Sequence, residues 1–124
     1  MSIGLQNFKF FGMSCLFCRI VKKEIPSQFV YEDEQMVVFK DVKPKARVHL
    51  LIVPKKHIDS IAALTKEDIN LVGQLIWQAK KIAEEFKIAK SGYKLIFNTG
   101  LDSGQAINHL HLHLLGGERM EWIV

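Results

Sequence analysis

Three of the five histidines in this 124-residue chain alternate with leucine in His109-Leu-His-Leu-His-Leu-Leu115, directly before Gly116-Gly117. In an extended strand successive side chains point to opposite faces, so His109, His111 and His113 would line one face and Leu110, Leu112 and Leu114 the other. One histidine on such a strand reads as a solvent-facing polar residue, but three at period two read as a convergent set. Two chemistries use such a set. The imidazoles can hold a transition metal, or one can attack phosphorus while the others carry protons and bind phosphate oxygens. A catalytic zinc often comes with a carboxylate ligand or base, and no Asp or Glu lies between Asp102 and Glu118. The preceding loop offers instead Gly100, Ser103 and Gly104, whose backbone N–H groups can approach an anionic oxygen closely. Phosphate chemistry therefore leads. The two cysteines, as Cys15-x-x-Cys18, are too few for a disulfide scaffold and read as a metal or redox pair in a reducing cytoplasm. Alone they supply half a zinc site, against the alternative of two small buried hydrophobes.

The elements that must position these groups follow from periodicity. Leu16, Phe17, Ile20 and Val21 recur at helical spacing, predicting a short helix over 16–23 that ends before Pro26. Strands are predicted at 29–31, 36–39 and 48–53, where β-branched and aromatic residues alternate with turn-like Glu32-Asp-Glu34 and Asp41-Val-Lys-Pro44. One long helix begins at Thr65, with Asp68 completing a capping box, and its predicted apolar face is Ile69, Val72, Ile76, Ala79, Ala83 and Phe86. Gly92 ends it, 93–98 resumes as a strand, 99–108 is a loop and 109–115 is the histidine strand. The expected fold is α+β, a single domain with a mostly antiparallel five-stranded sheet, one long helix and one short one. Residues 1–12 show no periodicity and read as a loosely ordered extension ahead of a domain over 13–124.

Composition narrows the class of partner. A chain of this length with 48% hydrophobic and 24% charged residues forms one compact domain. No apolar run is long enough to cross a bilayer, and 1–13 lacks the hydrophobic core of a secretory signal, so no membrane association is expected. The net charge of +4 comes from scattered basic residues, which favours small anionic ligands over nucleic acid.

His109-Leu-His-Leu-His-Leu-Leu115 resembles the signature of the histidine triad superfamily, and the rest of the chain is similar to its purine nucleoside phosphoramidase branch. The resemblance runs from about Cys15 to Trp122 through Ile20-Val-Lys-Lys-Glu-Ile-Pro26, Tyr31-Glu-Asp33, Phe39-Lys-Asp-Val42, His49-Leu-Leu-Ile-Val-Pro-Lys-Lys-His57, Asn98, Gly104-Gln105 and Leu115-Gly-Gly-Glu-Arg-Met-Glu-Trp122. It implies that His111 attacks the phosphorus of a nucleoside 5′-phosphoramidate, expelling the amine, and that water then releases the monophosphate. His113 and His49 would contact phosphate oxygens and manage protons, with His109 completing the catalytic set and no cofactor needed for the chemistry. Asn98 and the Gly104-Gln105 backbone would position the phosphate and Asp41 the ribose hydroxyls, while Phe17, Ile20, Ile25, Phe39 and Val42 would surround the base. Some bacterial-type relatives hold a structural zinc, which here implies Cys15, Cys18, His57 and His109 as ligands. A homodimer is implied, joined through the long helix and the strand at Tyr93, with Trp122 reaching toward the partner's site. Ala106 departs from the pattern, because many relatives carry Ser or Thr there. The competing readings are dinucleoside polyphosphate hydrolysis or nucleotidyl transfer, which other branches perform, and a nucleotide-binding regulatory protein.

Overall fold

The computed structural model describes residues 15–122, so the extension expected at 1–12 lies outside the described residues. Its elements run in the predicted order: α1 (Leu16–Val21), β1 (Phe29–Glu32), β2 (Met36–Lys40), β3 (Val48–Pro54), α2 (Ile69–Glu85), β4 (Tyr93–Ile96) and β5 (Leu112–Gly116). The strands form one antiparallel sheet in the order β1-β2-β3-β5-β4, which places the histidine strand between β3 and the edge strand β4. The architecture is the expected α+β domain with a five-stranded antiparallel sheet. Among the described residues no helix is long and apolar enough to cross a membrane.

Both faces of the central strands are covered, which is why β2 and β3 read as continuous apolar runs rather than as alternating ones. On one face Met36, Val38, Leu50, Ile52, Leu112 and Leu114 pack against Leu75, Ala79, Ile82 and Ala83 of α2. On the other, Val37, Phe39, Leu51 and Val53 pack against Phe17 and Ile20 of α1. The site occupies this second face. Register explains the placement, since Leu51 pairs with His113 and His49 with Leu115 across β3 and β5, which sets His49 and His113 diagonally on the α1 side.

Two elements differ from the sequence-based expectation. Helix α2 starts after a 3₁₀ turn over Lys66–Asp68, with the Thr65–Asp68 capping box formed as expected. It buries Leu75, Gln78, Ala79, Ile82 and Ala83, whereas Ile69 and Ile76, assigned to its inner face, are 68% and 44% exposed. The helix carries two apolar stripes, and the periodicity merged them. Strand β5 begins at Leu112 rather than at His109, because the Leu110 N–H donates to Ile58 O at 2.6 Å and the His109 carbonyl is taken by the His111 ring.

Candidate active site

A cleft of about 850 Å³ opens on the α1 face of the sheet. Its floor is His49, Leu51, His111, His113 and Leu115, with Phe17 and Phe39 toward the β2 side and Ile96 toward the β4 side, and Asn98 and Gly104 to Ile107 also line it. Asp41 and Val42 stand at its mouth with Lys43 and Lys45, and Trp122 lies on the rim of this same chain's cleft. Ile20 and Ile25, expected around a bound base, do not line it. They belong to the same apolar cluster as Phe17 and Phe39. Leu16, Leu51, Ile96, Ile107 and the lysines of the 43–45 turn line the cleft without having been singled out in the sequence. Only the lysine alternation in Lys43-Pro-Lys45 carried a signal for an anionic ligand.

The proton positions of the histidines follow from their partners, because a neutral imidazole has one donor and one acceptor nitrogen. His111 Nδ1–H donates to its neighbour's carbonyl, His109 O, at 2.7 Å, which leaves Nε2 as a bare lone pair. Phe17 packs edge-on against this ring at 5.1 Å and fixes its plane. Burial lowers the His111 pKa below the ordinary imidazole value, with the bond to His109 O and the Asp41 charge opposing, so the ring stays neutral. The neighbouring pair is ordered differently. The Lys45 N–H donates to His49 Nδ1 at 3.0 Å, so the proton of His49 sits on Nε2. That Nε2–H donates to His113 Nδ1 at 2.9 Å, with Asp41 Oδ2 also 3.4 Å from it, and the remaining proton of His113 is thereby assigned to Nε2. Burial first, then the adjacent His111 and His49, pull the His113 pKa down to about 4.

His109 is turned away from this relay. Its ring is fully buried and its Nε2–H donates to Pro54 O at 2.8 Å, so Nδ1 is the free lone pair. His57 Nε2–H donates to Asp59 Oδ1 at 2.8 Å, freeing its own Nδ1. The two Nδ1 atoms face each other at 3.2 Å. Cys15 Sγ lies 3.3 Å from His109 Nδ1, and Cys18 Sγ lies 3.3 Å from His57 Nδ1 and 3.5 Å from His109 Nδ1. Four donor atoms converge within 4.8 Å of one another. A tetrahedral cation bound at about 2.0–2.3 Å needs donor separations of about 3.3–3.8 Å, so the cluster fits zinc in both ligand type and spacing. Burial and the neighbouring Cys15 push the Cys18 thiol up to about 11, a cost that a bound cation reverses. A second grouping, Asp41, His49 and His113, also brings three potential ligands together. There the Lys45 N–H forces a proton onto His49 Nε2, and that proton occupies the place a metal would need.

The loop before the triad is self-satisfied to a degree the sequence does not reveal. The N–H groups of Ser103 and Gln105 donate to Gly100 O and that of Gly104 to Leu101 O, while the Gly100 N–H donates to Gln105 Oε1. These four amides, expected to face an anion, are spent on the turn, which Gly104 closes at φ +83°. Asn98 Nδ2 holds the same turn through Ser103 O at 3.0 Å. The next two N–H groups, of Ala106 and Ile107, have no hydrogen-bond partner among the described residues, and both residues line the cleft.

Comparison with known proteins identifies the family. The family model described as "Scavenger mRNA decapping enzyme C-term binding" matches residues 14–122. A protein of Synechocystis named as an uncharacterised HIT-like protein is 43% identical over 107 residues, spanning 86% of this chain and 93% of the relative. The solved structure of a HIT family hydrolase from Legionella pneumophila superposes with a TM-score of 0.86 at 44% identity, covering 88% of this chain and 97% of that one. A zinc-bound histidine triad family protein from Mycobacterium smegmatis matches with a TM-score of 0.75 at 27% identity, over 90% of this chain and 81% of that one. With its His109–His113 motif, its five-stranded antiparallel sheet and relatives of this similarity, the chain belongs to the histidine triad (HIT) family.

Proposed function

We propose that the protein is a hydrolase of nucleoside 5′-phosphoramidates, releasing a purine nucleoside monophosphate through a nucleotidyl intermediate on His111. The observation that carries the reading is the His111 ring: Nδ1–H is locked to His109 O, burial keeps the ring neutral, and the bare Nε2 belongs to a ring on the floor of the cleft. In the first step Nε2 forms a bond to phosphorus as the P–N bond breaks, and the leaving nitrogen takes a proton. That proton comes from solvent at the open side of the cleft, while His113 Nε2–H, its other nitrogen held by the His49 Nε2–H, hydrogen-bonds a phosphate oxygen. Water then attacks phosphorus from the side the amine left, its proton passing to solvent, and frees neutral His111. The Ala106 and Ile107 N–H groups, without partners among the described residues, would receive the non-bridging oxygens. Asp41 keeps Oδ1 on the Lys43 N–H at 2.8 Å and has lone pairs left for ribose hydroxyls. Phe17 and Phe39 offer an apolar wall to a base, and Lys43 and Lys45 favour an anion.

Zinc is the metal that Cys15, Cys18, His57 and His109 suit. Its contribution would be structural, tying α1 to the chain ahead of β5, since all four positions are filled by protein. A homodimer is supported by the second stripe of α2, where Ile69, Ile76 and Trp77 are exposed, and by the outer edge of β4, which pairs with no other strand among the described residues. Sedimentation of Trp77→Glu, expected to be monomeric, tests it; an unchanged mass sinks it. The activity is tested by incubating wild type and His111→Ala with adenosine 5′-phosphoramidate and, separately, with a diadenosine polyphosphate. The reading expects turnover of the phosphoramidate that the variant lacks. Preference for the polyphosphate would transfer the assignment to P–O–P cleavage, and full activity of the variant would remove His111 as nucleophile.

A further inference from the structure

One carboxamide joins the loops beside the Cys15, Cys18, His57 and His109 centre and the nucleotide cleft. Gln105 Oε1 accepts the Gly100 N–H at 2.8 Å, while its Nε2 donates to Ile107 O at 3.0 Å and to Asp59 O at 2.8 Å. An N–H faces Oε1 and two carbonyls face Nε2, so only one orientation of the amide satisfies its surroundings. Asp59 is also the residue whose Oδ1 holds His57 Nε2–H at 2.8 Å and thereby aims His57 Nδ1 at the cysteines. The path is therefore unbroken. It runs from a metal donor, His57, through the Asp59 side chain and carbonyl to Gln105, and from Gln105 into the turn that presents the Ala106 and Ile107 N–H groups. Among the described residues Gln105 supplies the one side-chain hydrogen bond between this turn and the 57–59 segment. The turn's other bonds, from Ser103, Gly104, Gln105 and Asn98, all close locally.

A cation that fixes His57 also fixes Asp59, and an ordered Asp59 carbonyl holds the Gln105 amide in the position that shapes the turn. A phosphate seated on the turn holds the same amide from the other end. Each ligand then meets a protein that the other has already ordered, which is positive coupling by shared ordering. We infer that Gln105 is a positioning residue that couples the metal centre to the nucleotide site, so that zinc and a nucleoside monophosphate each tighten the other's binding. The inference rests on the zinc and nucleotide readings given above.

The test measures binding rather than turnover. Zinc affinity is determined by chelator competition with and without saturating AMP, and AMP affinity by calorimetry on zinc-free and zinc-loaded protein, for wild type and for Gln105→Met, which keeps the length of the side chain and loses its hydrogen bonds. In wild type AMP should tighten zinc about fivefold or more, with zinc tightening AMP by the same factor as linkage requires. In the variant both ligands should still bind while most of that factor disappears. A purely structural Gln105 would weaken AMP equally in the two metal states and leave the factor intact. A variant that retains half or more of the factor, or a wild type that binds both ligands independently, overturns the coupling. Failure of wild type to bind zinc at all overturns the metal reading and the coupling with it, whereas failure to bind AMP does the same for the nucleotide reading.

Discussion

Mild acid should cost this fold stability through His113, by an amount the structure sets. The ring is held neutral by burial and by its neighbours His111 and His49, with its pKa drawn down to about 4. In the unfolded chain the same ring titrates near 6.5. Between those values the unfolded chain binds more protons than the folded one, so the contribution is fully present above about pH 6.5 and is lost as pH falls toward 4. A gap of about 2.5 units corresponds to about 3 kcal/mol at full strength, and water at the open side of the cleft reduces the expectation to about 2 kcal/mol. The perturbation is His113→Gln, which keeps an acceptor for the His49 Nε2–H and removes the titration. Urea unfolding of both proteins at about pH 7.5 and about pH 4.5, with chelator present throughout so that metal linkage cancels, isolates the His113 share. Wild type should lose about 2 kcal/mol more than the variant between the two conditions. Equal losses would refute the protonation state assigned to His113, and an imidazole NMR midpoint above the ordinary histidine value would do so directly.

Other consequences are narrower. Gly104 adopts φ +83° in open space, so Gly104→Ala meets no clash but pays about 1–2 kcal/mol for the left-handed backbone, readable in urea unfolding; unchanged stability would count against a tightly held turn. Ala106 borders the cleft where a hydroxyl would reach a phosphate oxygen, so Ala106→Ser should raise phosphoramidate turnover, by up to about tenfold for one neutral hydrogen bond. No rise would remove the idea that the missing hydroxyl limits the rate. Stripping zinc with chelator should lower the melting temperature of wild type and leave Cys18→Ala unaffected, and a wild-type protein indifferent to chelator would argue against a structural ion.

Much of the fold was legible because its signals are local. Thr65 and Asp68 announce their capping box three residues apart, and the β-branched runs around Val38 and Ile52 announce their strands. The faces of α2 were less legible, since Ile69 and Ile76 are as apolar as Leu75 and Ile82 and only the sheet decides which stripe is covered. The histidines of the site were found by spacing, yet spacing says nothing of tautomers. The Lys45 N–H that orders His49 belongs to a backbone turn, and the His109 carbonyl that orders His111 displaces the start of the strand. Ile20 and Ile25, assigned to the base by motif position, pack in the same apolar cluster as Phe17 and Phe39 and are not among the residues lining the cleft. Gln105 was noted for its backbone, and its side chain turned out to be the more informative part, because its partners Gly100 and Asp59 are brought together only by folding.

The central claim is that His111 Nε2 is the nucleophile. Protein mixed with a slowly hydrolysed adenosine 5′-phosphoramidate, quenched within a turnover and digested, should yield a peptide containing His111 that carries one adenylyl group. The adduct should be absent from His111→Ala. Turnover with no adduct under conditions that slow the second step, or an adduct on His113, His49 or another residue, would contradict the account.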